Sequence, residues 1–278
     1  MKKHLSTIIV GIIFFCGLSL FLYTTVSNLY NEYLIKKLIG DYQEVFSDIQ
    51  PEEYNKAKED AITYNKNINN PKKLEELGLI YEDMLDIAGN GVMGYIEIPK
   101  INVSLVIYHT LDEDILQNGI GHVEESALPI GGTSTHCVLA GHTGLPSAKL
   151  LTNIDHLKLG DMFYIHVLDE VLTYQVDNIA VVEPHEASKL SVVSGKDYVT
   201  LVTCTPYGVN SHRLLVRGVR VGENDVNALG NAHVQNDVFY VDMKYLITFS
   251  LIGITVVFIA GRKIYKMRKI KKMKGGEK

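Results

Sequence analysis

Thr200-Leu201-Val202-Thr203-Cys204-Thr205-Pro206-Tyr207-Gly208-Val209-Asn210-Ser211-His212-Arg213-Leu214-Leu215-Val216-Arg217-Gly218 is the stretch from which the fold can be read. Val199, Leu201 and Thr203 alternate with Thr200, Val202 and Cys204, the period of two that a half-buried strand requires. Pro206, Gly208 and Asn210 then punctuate a loop, and the extended pattern resumes from Leu214 to Val221. Strand, turn and strand place a thiol at the end of one extended segment and a guanidinium at the start of the next. A nucleophile and an anion stabiliser on rigid elements suit acyl-transfer chemistry. A lone cysteine is more often a small buried hydrophobe and a lone arginine a surface charge, so support has to come from the rest of the chain.

Working outward, the period of two begins at Gly91. Extended segments are expected at Val92 to Ile98, Val103 to Tyr108, His136 to Ala140, Asp161 to Val167, Leu172 to Val182, Asp197 to Thr203 and Arg213 to Val221. Helical cues within this region are confined to Asp112 to Gln117, Ser147 to Leu151 and Pro184 to Leu190. At least seven short strands with tight turns predict a mainly β domain over 91–221, an antiparallel sandwich or barrel. Residues 27–90 are helical in flavour: Tyr30, Tyr33, Leu34, Lys37 and Leu38 recur at helical spacing, Glu52 to Asn65 follows Pro51, and Lys72 to Leu85 resumes after a break. This region is a stalk or a lid.

Two apolar segments flank these regions. Residues 6–26 carry no charge and are long enough to cross a bilayer core, behind a tail at 1–5 containing Lys2 and Lys3. No small-x-small cleavage site follows, so the segment is expected to remain as a signal anchor. Residues 245–261 form a second apolar run after a polar linker at 222–244. A basic tail at 262–278 follows it. Cations beyond a span mark the cytoplasmic side, so both termini are expected inside and the β domain outside. With −5 for the whole chain, the two basic ends leave −15 between them, which excludes a nucleic-acid interface. The exterior holds only Cys137 and Cys204, too few for a disulfide framework; a free reactive thiol and a Cys137–Cys204 disulfide are the two alternatives.

A thiol needs a base or a positive neighbour to become a competent nucleophile. Among the extracellular histidines, His142 stands in a loop at a strand end, between Gly141 and Thr143-Gly144, where barrels present functional side chains. His166 lies within a strand, and His156, His185 and His233 sit in loop-like context. Of His212 and Arg213, only one can face Cys204, because adjacent strand residues point opposite ways. A metal site built from His136, Cys137, His142, Cys204 and His212 lacks the paired spacing of zinc sites, so none is expected.

At these residues the chain resembles the sortases. Thr200-Leu201-Val202-Thr203-Cys204 is similar to their TLxTC signature, Leu139-Ala140-Gly141-His142-Thr143-Gly144 to their catalytic-histidine loop, and Arg213 matches their third catalytic residue. The run from Gly94 to Arg217 is similar throughout. Cys204 to Gly218, together with a second C-terminal span, resembles the class C, pilus-assembling branch. The resemblance implies a closed β-barrel of about eight strands and a transpeptidase without cofactor. Its roles would be Cys204 as nucleophile, His142 as general acid and base, and Arg213 on the oxyanion or substrate. The implied substrates are LPxTG-bearing pilins or surface proteins. The branch commonly carries an Asp-Pro-aromatic lid just before the domain. Here that region reads Glu82-Asp83-Met84-Leu85-Asp86-Ile87-Ala88-Gly89, with neither proline nor aromatic after an Asp, and Asp83 and Asp86 are its candidates for contact with Cys204 or Arg213. The other readings are a sortase anchoring single proteins to the wall and a non-enzymatic adhesin or assembly scaffold.

Overall fold

The computed structural model describes residues 2–222 together with Ile252, Thr255 and Arg262. Apart from those three residues, the expected second span at 245–261, its basic tail and most of the linker lie outside the described residues. Eight strands close into a barrel in the order β1-β2-β3-β4-β7-β8-β6-β5. They are β1 (Val92–Ile98), β2 (Val103–Tyr108), β3 (Ile120–His122), β4 (Thr135–Ala140), β5 (Met162–Val167), β6 (Glu170–Val182), β7 (Asp197–Thr205) and β8 (His212–Arg220).

Two features correct the expectation of an antiparallel sheet. β2 pairs with β3, and β4 with β7, in parallel, while the other neighbours are antiparallel. The additional strand, β3, is three residues long, too short for a period of two to show. It is fully buried, and a Cβ at Gly121 would lie 2.1 Å from the Thr110 carbonyl oxygen, so only glycine lets the two backbones approach there. Of the helical cues, Asp112 to Gln117 gives a short α4 (Glu113–Leu116) and Pro184 to Leu190 gives only a 3₁₀ turn at Ser188–Leu190. Ser147 to Leu151 is not helical; the 3₁₀ turn falls at Ile154–His156.

The barrel interior follows from the alternation. Ile96, Ile98, Leu139, Phe163, Ile165, Leu201 and Val216 are all fully buried. β8 contributes Gly218 to this layer because a Cβ there would meet the Phe163 ring at 2.5 Å.

Before the barrel, α1 (Lys2–Asp48), α2 (Pro51–Asn67) and α3 (Pro71–Leu77) follow one another. The apolar 6–26 run is thus the first half of one unbroken helix, and the helix from Gly11 to Ser47 is by length and composition able to cross a membrane. Its second half packs on the barrel. Ile35 and Tyr42 are buried, the Tyr42 hydroxyl donates to the Met93 carbonyl at 3.1 Å, and it accepts from the Leu168 amide at 2.9 Å. Helix α3 stops earlier than the expected Leu85 because Gly78 takes a left-handed conformation, φ 67°, and closes the helix with its N–H.

Candidate active site

The β7–β8 hairpin sets the first two groups. Its register pairs Cys204 directly with Arg213 and Thr205 with His212. Directly opposed residues of an antiparallel pair share a face, so Arg213, not His212, is the residue on the Cys204 side. His212 instead is exposed and shares a hydrogen bond with the Ser211 hydroxyl at 2.8 Å. The connecting loop is closed by the Val209 and Asn210 amides, which donate to the Pro206 carbonyl at 3.0 and 2.9 Å. Arg213 is half-buried, and its guanidinium donates to the His212 carbonyl at 3.2 Å. It has no carboxylate partner among the described residues, which leaves its charge available to an incoming anion.

The parallel β4–β7 pair sets the third group. Ala140 lies opposite Val202, the Gly141 amide donates to the Val202 carbonyl at 3.0 Å, and the Thr203 hydroxyl donates to the Gly141 carbonyl at 2.8 Å. Counting two residues beyond the Ala140–Val202 pair reaches His142 on one chain and Cys204 on the other. Both are half-buried at the same end of the barrel. The loop after His142 is held by the Leu151 amide on the His142 carbonyl, 3.2 Å, and the Gly144 amide on the Thr152 hydroxyl, 3.1 Å. Gly144 has φ 76°, and a Cβ there would lie 2.9 Å from the Tyr207 ring. The histidine loop and the Cys204–Arg213 loop therefore pack on each other at a glycine. No hydrogen bond of the described residues involves the Cys204 thiol.

One residue escaped the reading of the sequence. The His142 imidazole Nε2 lies 3.3 and 3.4 Å from the two carboxylate oxygens of Glu113 at the start of α4. The only signal in the chain was the acidic run Asp112-Glu113-Asp114, which has the look of a solvated helix start. A carboxylate within hydrogen-bond reach of an imidazole orients the ring.

Asp83 and Asp86 are not brought to Cys204 or Arg213. The Asp86 carboxylate accepts from the Asn90 and Gly91 amides, both at 2.9 Å, closing the turn into β1. Asp83 is the exposed end of a 3₁₀ turn whose buried first residue, Tyr81, meets His122 Nδ1 at 2.9 Å, and His109 Nε2 lies 2.7 Å from the Met84 carbonyl. The segment is tied to the β2–β3 wall. The five residues weighed for a metal are also dispersed. Cys137 is buried in the interior, where burial pushes its thiol well up. His136 is bonded to the Ser191 carbonyl and the Thr200 hydroxyl. Cys137 and Cys204 are both free thiols: Cys137 pairs with Val199, five strand positions from Cys204 and on the opposite face, too far for a disulfide. His166 stacks on Tyr95 with 4.2 Å between centroids and contacts Glu97, a structural role.

This arrangement has known relatives. The model of the sortase domain matches residues 96–221. A crystal structure of sortase C1 from Streptococcus agalactiae is 48% identical with a TM-score of 0.63, covering 67% of this chain and 98% of that one. The chain belongs to the sortase family. A Clostridium perfringens sortase C solved with the C-terminal cell wall sorting motif is 44% identical, TM-score 0.58, over 67% of this chain and 98% of that one. Sortase A of Bacillus anthracis is 33% identical over 133 residues, 47% of this chain and 60% of the relative. The chain spans about half to three fifths of the length of the first curated sortases it matches. The solved neighbours place this sortase with class C enzymes.

Proposed function

We propose that this sortase is an extracytoplasmic cysteine transpeptidase of pilus assembly, with Cys204, His142 and Arg213 as its catalytic residues. It cleaves an LPxTG-like sorting signal between Thr and Gly and joins the threonine to a lysine amine of the next pilin. The Cys204–Arg213 pairing across β7 and β8 carries this reading. The Cys204 thiolate attacks the threonine carbonyl carbon, and the oxyanion that forms faces the Arg213 donors. Protonated His142 gives its proton to the departing glycine amine as the C–N bond breaks, leaving a thioacyl-enzyme. The lysine amine then attacks the thioester, His142 takes the surplus proton, and the thiolate is released. Cofactor and metal have no step in this scheme.

The class C neighbours and the loop from Thr205 to His212 support the pilin lysine as acceptor. The likeness to Sortase A of Bacillus anthracis supports a second reading, attachment of single surface proteins to the wall. Incubating the full-length protein in detergent with sorting peptides, a lysine-bearing pilin and a wall peptide amine, then sequencing the product bond, separates them. A threonine–lysine isopeptide bond is the expected product; a bond to the wall amine alone selects the second reading.

A further inference from the structure

The helix that carries the apolar run also fixes which end of the barrel faces its origin. α1 is one helix from Lys2 to Asp48 and meets the barrel at two levels. At the first, the Asn31 side-chain amide donates to the Ser147 carbonyl at 2.7 Å, and Ser147 belongs to the loop that begins at His142 and closes on it through Leu151. At the second, Tyr42 bonds Met93, near the start of β1, and Leu168 in the β5–β6 turn. That turn is the end of the barrel remote from the site. β6 runs from Glu170 there to Val182, which pairs with Arg213, and Val171 and Val182 are separated by about 35 Å of extended strand. The direction from Tyr42 back to Asn31 therefore runs from the remote end toward the catalytic end, and the unbroken helix continues that way into residues 6–26.

We propose that α1 holds the barrel with its catalytic mouth turned toward the lipid surface. This rests on the reading of residues 6–26 as a membrane span. Asn31 is only about 7 Å of helix rise beyond Val26, whereas Tyr42 is about 24 Å beyond it. Tyr23, Tyr30 and Tyr33 are exposed on α1 around this level, the amphipathic rings that settle at a bilayer's headgroup layer. The rim of the mouth presents apolar groups to the same side: Tyr207 is 68% exposed and Val209 69%, both in the loop between Cys204 and Arg213. The partner surface is thus a phospholipid headgroup layer.

The chain contains no tryptophan, so a single introduced indole reports its own depth. Full-length Tyr207→Trp and Val171→Trp proteins, reconstituted in phosphatidylcholine–phosphatidylglycerol vesicles, are titrated with headgroup-nitroxide lipid. Val209→Trp replaces Tyr207→Trp should the latter misfold. Expected is co-flotation with vesicles and quenching several-fold stronger at the rim position than at Val171, which is exposed beside the remote β5–β6 turn. Equal quenching, or stronger quenching at position 171, overturns the orientation while leaving the span intact. Protein that fails to float with vesicles overturns the span and the orientation with it.

Discussion

Cys137 and Cys204 stand on β4 and β7, two strands hydrogen-bonded in parallel, and meet opposite fates. Cys137 lies opposite Val199 and shares the inner face with Leu201, so it is sealed in the core and its thiol is held protonated by burial. Cys204 shares the outer face with Val202 and sits at the strand's end, half-buried, opposite a guanidinium with no carboxylate partner among the described residues. The same chemical group becomes packing or chemistry according to strand parity and distance from the rim. A histidine beside a thiol does not mark a site either: His136 precedes Cys137, yet its ring is taken up by Ser191 and Thr200.

The contrast between rim and wall can be broken at several points. Among the groups around the thiol, the largest effect is expected at His142. His142→Ala removes the proposed proton donor to the leaving amine and should lower kcat by about 10²–10⁴-fold, measured by peptide cleavage, with thermal stability close to that of the parent. Arg213→Ala should cost about 10²–10³-fold as an oxyanion donor, with Arg213→Lys recovering only part because a point charge cannot replace the planar fork.

On the wall side the expected effects are on stability. His122 is fully buried, between Tyr81 and the Ala127 carbonyl, and burial pushes it down to about 4. Its ordinary value is near 6.5. The unfolded chain takes up a proton below that value while the folded chain resists until about 4. Stability is therefore full above pH 6.5 and falls as pH drops toward 4, by roughly 3 kcal/mol from this group. His136, also lowered by burial, adds in the same direction. Urea denaturation of His122→Gln should show a flatter slope across this window, with the His136 share remaining.

Much of this contrast was legible in the chain. The alternation from Val199 to Cys204 and the punctuation at Pro206, Gly208 and Asn210 identify the hairpin, and parity alone says that His212 and Arg213 cannot both face Cys204. Which of them does depends on the turn's register, set by the amides closing on Pro206, and no periodicity reports that. β3 was hidden because three residues carry no period, and the parallel pairings because strand order is a property of closure rather than of any local pattern. Glu113 was hidden for a different reason: its contact with His142 crosses from α4 to the loop after β4, and an acidic run reads as solvated whether or not one member reaches a neighbouring loop.

Smaller effects sharpen the comparison. Cys137→Ala should lower stability by about 1 kcal/mol through a small cavity while leaving cleavage unchanged. Glu113→Gln should change kcat/KM only several-fold, since the carboxylate is largely exposed.

The most direct measurement is to find where the acyl group goes. Full-length protein mixed with an LPxTG-type peptide, quenched in acid and mapped by mass spectrometry, should carry the threonine-terminated acyl group as a thioester on Cys204, with Cys137 unmodified and no adduct in Cys204→Ala. An acyl group found on Cys137, or cleavage continuing undiminished in Cys204→Ala, would contradict the assignment of the rim thiol as nucleophile.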